Sequence, residues 1–323
     1  MAQYGLVMLG AALCGLLIMI LRREKTEMDL KTVFVFGALA VPLCVLAGRA
    51  AFWLCSLSWI TDSDRRFWDF LGSGYSYMLY GAIIGGFLAA FLASKITGTP
   101  FGRIADAAAA PAALLVAAGR FAEYMIDAGF GTSVEAWFDP YENWSMIAWE
   151  DPSPICRFPF AVQNYYGTWR FSINLLEGIA ALVFLVVLLV MKKRRSGGAA
   201  SLFLLMYASC QILFESMRRD EVVIWGFVKA NQLISAILVA LLLVFFWLKT
   251  APEKRTQAEL WIRLALVVLL AGVGMLMEFA LDEKIEFLHW MRADLSYIVL
   301  ALCCAGMLAV ALPLWRRAFP KEE

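Results

Sequence analysis

Arg120 and Glu123 stand three residues apart in VAAGRFAEYMIDAGFG, residues 116–131, just after sixteen residues, 104–119, that carry a single charge. A separation of three puts both side chains on one face of a helix, where they can pair. Arg49 in AGRAAF follows a glycine, as Arg120 does, and glycine lets another backbone or a ligand come close. Glu177 in LLEG, with Glu215 and Arg218 in FESMRRD, completes a set of ionisable residues embedded in long apolar runs. Such a set can bind anions and move protons. Two guanidinium groups at similar depth match the geometry of a phosphate, and carboxylates serve as acids or bases.

The surroundings of these residues indicate which phosphate lies within reach. Hydrophobic residues make up 62% of the chain and charged ones 17%, with a mean hydropathy of +0.72. That balance lies outside the range of a soluble domain and describes a polytopic membrane protein. The nearest phosphate in a membrane belongs to a lipid. An ionisable group at the centre of a span costs about 2.5–3.5 kcal/mol on insertion scales, so it usually faces a polar interior and marks function. Glu123, Glu177, Glu215 and Arg218 lie near enough to span ends to snorkel to the interface instead. Arg49 and Arg120 read as functional. A formal net charge of +1 gives no footprint for nucleic acid.

Nine apolar runs are long enough to cross a bilayer about 30 Å thick. They cover Tyr4 to Leu21, Val33 to Leu57, Tyr77 to Ser94, Ile104 to Ile126, Phe171 to Met191, Ala199 to Met217, Val228 to Leu248, Leu260 to Leu281 and Leu295 to Trp315. The expected fold is an all-α bundle of about nine transmembrane helices. Seventeen Lys and Arg residues, including the run Lys192 to Arg195, fall on one side of these spans and nine on the other. The positive-inside rule then predicts an N-terminus outside and a C-terminus inside. The first run has no basic region ahead of it and reads as a retained span.

Two breaks divide the chain. Residues 127–170 form a long outer connection rich in aromatics and prolines, a length that usually has a function. The polar inner linker KTAPEKRTQAE, residues 249–259, separates a seven-span core, 1–248, from a two-span hairpin in 249–323. Trp261, Trp290 and Trp315 fall at span borders, as belt residues would. Glu278 reads as an interfacial charge, and Asp106, at the inner start of the fourth span, as a helix cap. Six of seven cysteines lie in apolar runs and only Cys156 in an outer loop, so no disulfide framework is expected. His289 is the sole histidine. No metal-ligand spacing is present, and no cofactor is expected.

YGLVMLG, AGR, SYMLYGAIIGG, IADAAAAP, VAAGRF, LLEG, the passage RRSGGAASLFLLMYASCQILFESMRRD and NQLISAIL occur in this order over residues 1–248. Together they resemble the prolipoprotein diacylglyceryl transferase family. The resemblance implies a seven-span enzyme of the bacterial inner membrane. Such an enzyme moves the diacylglyceryl group of phosphatidylglycerol to the lipobox cysteine of a prolipoprotein signal peptide, and glycerol phosphate leaves. By this resemblance Arg120 holds the lipid phosphate, with Arg49 and Arg218 on further family positions and Glu215 as the carboxylate of an ExxR run. Tyr80 replaces the family's histidine, Gln211 an arginine, and Glu123 an asparagine of the signature. Tyr80, Glu123 and Glu215 are therefore the expected catalytic residues. Arg49, Arg120, Gln211 and Arg218 are the expected ligands of the lipid phosphate. A non-catalytic phospholipid-binding relative, or a small transporter or assembly scaffold, remains the alternative. The last two spans have no counterpart in the family pattern.

Overall fold

The computed structural model describes residues 2–56, 77–134, 158–164, 167–219, 223–225, 228–282, 284, 286–288, 291 and 293–322. Among the described residues nine helices are long and apolar enough to cross a membrane. They are α1 (Ala2–Leu21), α2 (Leu30–Cys55), α3 (Leu79–Thr97), α4 (Phe101–Glu123), α5 (Ile173–Val190), α6 (Gly198–Met217), α7 (Ala230–Lys249), α8 (Gln257–Leu281) and α9 (Ala293–Ala318). Among the described residues two small antiparallel hairpins stand beside them. One pairs β1 (Ala161–Gln163) with β2 (Trp169–Phe171), the other β3 (Ile224–Trp225) with β4 (Val228–Lys229). Part of the outer connection, with Cys156, lies outside the described residues, as do His289 and Trp290.

Several helices begin before their apolar run does. Backbone hydrogen bonding continues wherever propensity allows, whatever the hydropathy, so α4 starts at Phe101 and α8 at Gln257. This corrects the role expected of Asp106, which sits in the second turn of α4 and cannot cap it. Its carboxylate instead accepts the backbone N–H groups of Gly197 at 2.7 Å and Ala200 at 2.9 Å, capping the start of α6 from a neighbouring helix. Those amides have no capping side chain of their own, because the residue ahead of α6 is Gly197.

Small residues bring the helices close. Gly81 and Gly85, one turn apart on α3, face the backbone of α2 at Ala47, Gly48 and Leu43, where any side chain would overlap α2 itself. That contact fixes the turn of α2 that bears Arg49, and the Met78 amide adds a hydrogen bond to the Gly48 carbonyl at 3.0 Å. Close approach of this kind is how helices associate without a hydrophobic drive. The alanine-rich α4 packs between α1 and α5.

The most enclosed helix is α6, covered by α4, α5, α7 and α9. The terminal hairpin α8–α9 thus shares the core of the bundle. Trp315 is buried there instead of facing lipid as a belt residue would: its indole N–H donates to the Gly198 carbonyl at 3.0 Å and its ring receives the Arg194 guanidinium at 4.5 Å. Trp261 is exposed. Glu278 is also buried, where Lys229 meets it at 3.2 Å and the Ser216 hydroxyl donates to it.

Candidate functional site

Three helix ends meet at Gly129–Gly131. After α4 the chain makes a 3-10 turn, Tyr124–Ile126, and Asp127 takes a left-handed conformation that ends the helix. The extended segment that follows is knitted to the start of α5: the Gly131 amide donates to Phe171 O at 2.8 Å and the Asn174 amide to Gly129 O at 2.9 Å. The Arg219 amide, just past α6, donates to Phe130 O at 3.0 Å. Gly129 has φ +79°, and a side chain there would strike Glu123 and Asn174. The Phe121 ring lies against Gly178, which lets α5 press onto α4. These contacts bring the last turn of α4, the first turn of α5 and the end of α6 to one point.

Four charges converge there. Arg120 and Glu123 pair on one face of α4 as their spacing dictates, and Arg120 Nε also lies 2.8 Å from Glu177 Oε1. From α6, Arg218 reaches both carboxylates, at 3.4 Å to Glu123 and 3.5 Å to Glu177. Glu177 is 3% exposed and Glu123 14%. Neither oxygen of Glu177 accepts an aligned hydrogen bond among the described residues, so charge alone holds it. Charge-assisted pairs usually close to about 2.7–2.9 Å; Arg218 therefore holds its carboxylates loosely, and Arg120 holds them tightly.

A second polar network runs beside the first. Gln211 Nε2 donates to Glu215 at 3.1 Å and Asn231 Nδ2 donates to the other oxygen at 3.0 Å. Ser235 gives its hydroxyl proton to Asn231 O at 2.6 Å, so Tyr80 is the donor in its 2.5 Å bond with Ser235. Tyr80, Ser235, Asn231, Glu215 and Gln211 thus link α3, α7 and α6. Glu215 lies within electrostatic reach of Arg120, and Tyr80 of Glu215 and Glu177. Lys229 donates to the carbonyls of Glu215 at 2.9 Å and Ser216 at 3.1 Å, closing the C-terminus of α6.

The structure therefore brings Arg120, Glu123 and Arg218 together, and Gln211 with Glu215. Tyr80 joins the second group through Ser235. Arg49 stands half-buried on α2, next to the Gly48 contact with α3. Beyond the expected site residues, the structure adds Glu177 as the bridge between two arginines, and Asn231, Ser235 and Lys229. Glu177 carried a signal, a carboxylate in an apolar run. Asn231 and Ser235 are neutral, and such residues occur in spans without any functional role.

A sequence profile of the family described as Prolipoprotein diacylglyceryl transferase matches residues 1–248. The chain belongs to this family. The match ends with α7, and α8–α9 lie beyond it. Relatives named phosphatidylglycerol--prolipoprotein diacylglyceryl transferase share low identity over most of both chains. The protein of Bacillus velezensis is 25% identical over 256 residues, 78% of this chain and 90% of the relative. That of Bacillus licheniformis is 24% identical over 264 residues, 79% and 91%. That of Listeria welshimeri is 23% identical over 252 residues, 77% and 87%. Family members are thus similar to this chain along its first seven membrane helices.

Proposed function

We propose that this chain transfers the diacylglyceryl group of phosphatidylglycerol to the cysteine thiol of a prolipoprotein signal peptide in a bacterial plasma membrane. The observation that supports this most is the convergence of Arg120, from the passage that resembles the family signature, and Arg218, from the ExxR run, at one buried spot. The basic end of the bundle would face the cytoplasm, with the N-terminus outside and the C-terminus inside. The paired arginines then lie toward the outer half, where a secreted precursor presents its cysteine.

Charge accounting assigns the roles. Among the described residues two guanidinium groups face two carboxylates in this cluster, and these four charges cancel. The phosphodiester of the lipid brings one negative charge and engages Arg218, whose contacts to Glu123 and Glu177 are loose, together with Arg120. Glu123, more accessible than Glu177, accepts the thiol proton. Sulfur bonds to the glycerol carbon, the carbon–oxygen bond to phosphate breaks, and the departing glycerol phosphate takes on a second negative charge. Protonation of Glu123 raises the cluster to a net charge of +1 as that charge develops, the complementarity that lowers a barrier. Tyr80 and Glu215 hold the facing wall through Ser235, Asn231 and Gln211. Arg49 and Gln211 are further donors to the lipid head.

The test is to incubate the purified protein with phosphatidylglycerol and a lipobox peptide and weigh the peptide. A gain of one diacylglyceryl group supports the reading. An unmodified peptide with retained phosphatidylglycerol binding would select a non-catalytic lipid-binding protein.

A further inference from the structure

At the opposite end of the bundle from the paired arginines, a cavity of about 240 Å³ opens between α1, α4 and the loop joining α5 to α6. A single water needs only about 10–15 Å³ on this measure. The floor is apolar, formed by Met19, Leu188 and Ala110, and the walls carry seven Lys and Arg side chains against three carboxylates. All three carboxylates are occupied. Asp106 caps α6, Glu27 holds Arg103 at 2.9 Å and also pairs with Lys193, and Glu322 meets Lys193 at 3.3 Å. Arg22 and Lys25 donate to the last carbonyls of α5 and to Met191, and no carboxylate among the described residues pairs with them, nor with Lys192 or Arg195.

Basic loops on this side of a membrane protein are expected to project into water. Here they surround a concave space with an apolar floor. Burial and the neighbouring Arg22 hold the Lys25 ammonium below its ordinary range, a shift that an anion in the cavity would reverse. One wall comes from beyond the family-matched core: the chain after α9 pairs with residues 193–195, with Arg195 N donating to Pro320 O at 3.3 Å and Glu322 N to Lys193 O at 3.1 Å.

We propose that this cavity is a second anion site, which binds the phosphate group of a phosphomonoester or phosphodiester through the cations of the loop 192–195 and the end of α1. The group comes either from an anionic phospholipid of the adjacent leaflet or from a soluble phosphate. The apolar floor beneath the cations suits a lipid, whose glycerol and first methylenes would lie on Met19 and Leu188. The site is independent of the chemistry proposed at Arg120.

The experiment uses the full chain in phosphatidylcholine nanodiscs titrated with phosphatidic acid, bound lipid being counted by native mass spectrometry. An Arg120→Ala background removes binding at the interior site. A second titration uses inorganic phosphate and reads the melting temperature. Lys192→Gln/Arg195→Gln, at exposed positions, is compared with Lys192→Gln alone. The expected result is one phosphatidic acid whose half-saturation rises about five-fold per cation removed, with little response to inorganic phosphate. A melting shift with inorganic phosphate that the double variant abolishes, without lipid retention, assigns a soluble phosphate to the same cavity. Equal lipid binding and equal melting in all variants overturns the site.

Discussion

Glu177 on α5 lies 2.8 Å from Arg120 on α4 and 3.5 Å from Arg218 at the end of α6, so one buried carboxylate bridges two arginines from different helices. Its removal leaves both cations partly uncompensated away from water. Breaking a buried pair from one side costs about 3–5 kcal/mol. Glu177→Ala should therefore lower the melting temperature in detergent more than Glu123→Ala, whose position is more accessible. Equal melting of the two variants would show that Glu177 does not carry the cluster.

Glu123→Gln separates binding from chemistry. It takes one negative charge from beside the two arginines, so phosphatidylglycerol should bind more tightly. It also removes the proposed proton acceptor, which is worth about 10²–10⁴-fold in turnover. Titration with phosphatidylglycerol and a single-turnover measurement on the same preparation check both effects. Tighter binding with unchanged turnover would place the base elsewhere.

The nine spans were legible because hydropathy and flanking charge report lipid exposure directly. The Arg120–Glu123 pair was legible from a spacing of three. The bridge from Glu177 to Arg218 was not, because it depends on how the segment at Gly129–Gly131 ties together three helix ends that are distant in sequence. The place of Asp106 at the start of a span points to its own helix, whereas its partner amides belong to α6, some 90 residues on. The burial of Glu278 and Trp315 is not legible either, since distance from a span end says nothing about which neighbour covers a side chain.

Lys229 and Glu278 offer a test of how the terminal hairpin is joined to the core. Lys229 caps α6 and pairs with Glu278 of α8. Lys229→Met and Glu278→Leu should each destabilise by about 3–5 kcal/mol, since each leaves a buried charge without its counter-ion, whereas the double variant should cost far less. A thermal double-mutant cycle measures the coupling. Additive losses would mean that the pair does not join hairpin and core.

The tail clamp beside the basic cavity has a defined pH window. The hydrogen bond from Lys193, with Arg103 nearby, holds the Glu27 carboxyl below its ordinary value of 4.5. The same bond to Glu27, with Glu322, holds Lys193 above 10.5. A lowered acid pKa contributes stability that is present above 4.5 and lost as pH falls through the folded value. A raised base pKa contributes stability that is present below 10.5 and lost as pH rises through the folded value. Hydrogen exchange at Glu322, whose amide is bonded to Lys193 O, should therefore show constant protection between these limits once corrected for intrinsic rates. A loss of protection near neutral pH would contradict the clamp.

The central claim is that Arg120 holds the phosphate that leaves during diacylglyceryl transfer. The direct measurement is release of glycerol phosphate from phosphatidylglycerol in the presence of a lipobox peptide, by the unaltered protein and by Arg120→Ala. The account predicts peptide-dependent release by the former and a loss of about 10²-fold or more in the latter. Release that persists undiminished in Arg120→Ala would contradict it.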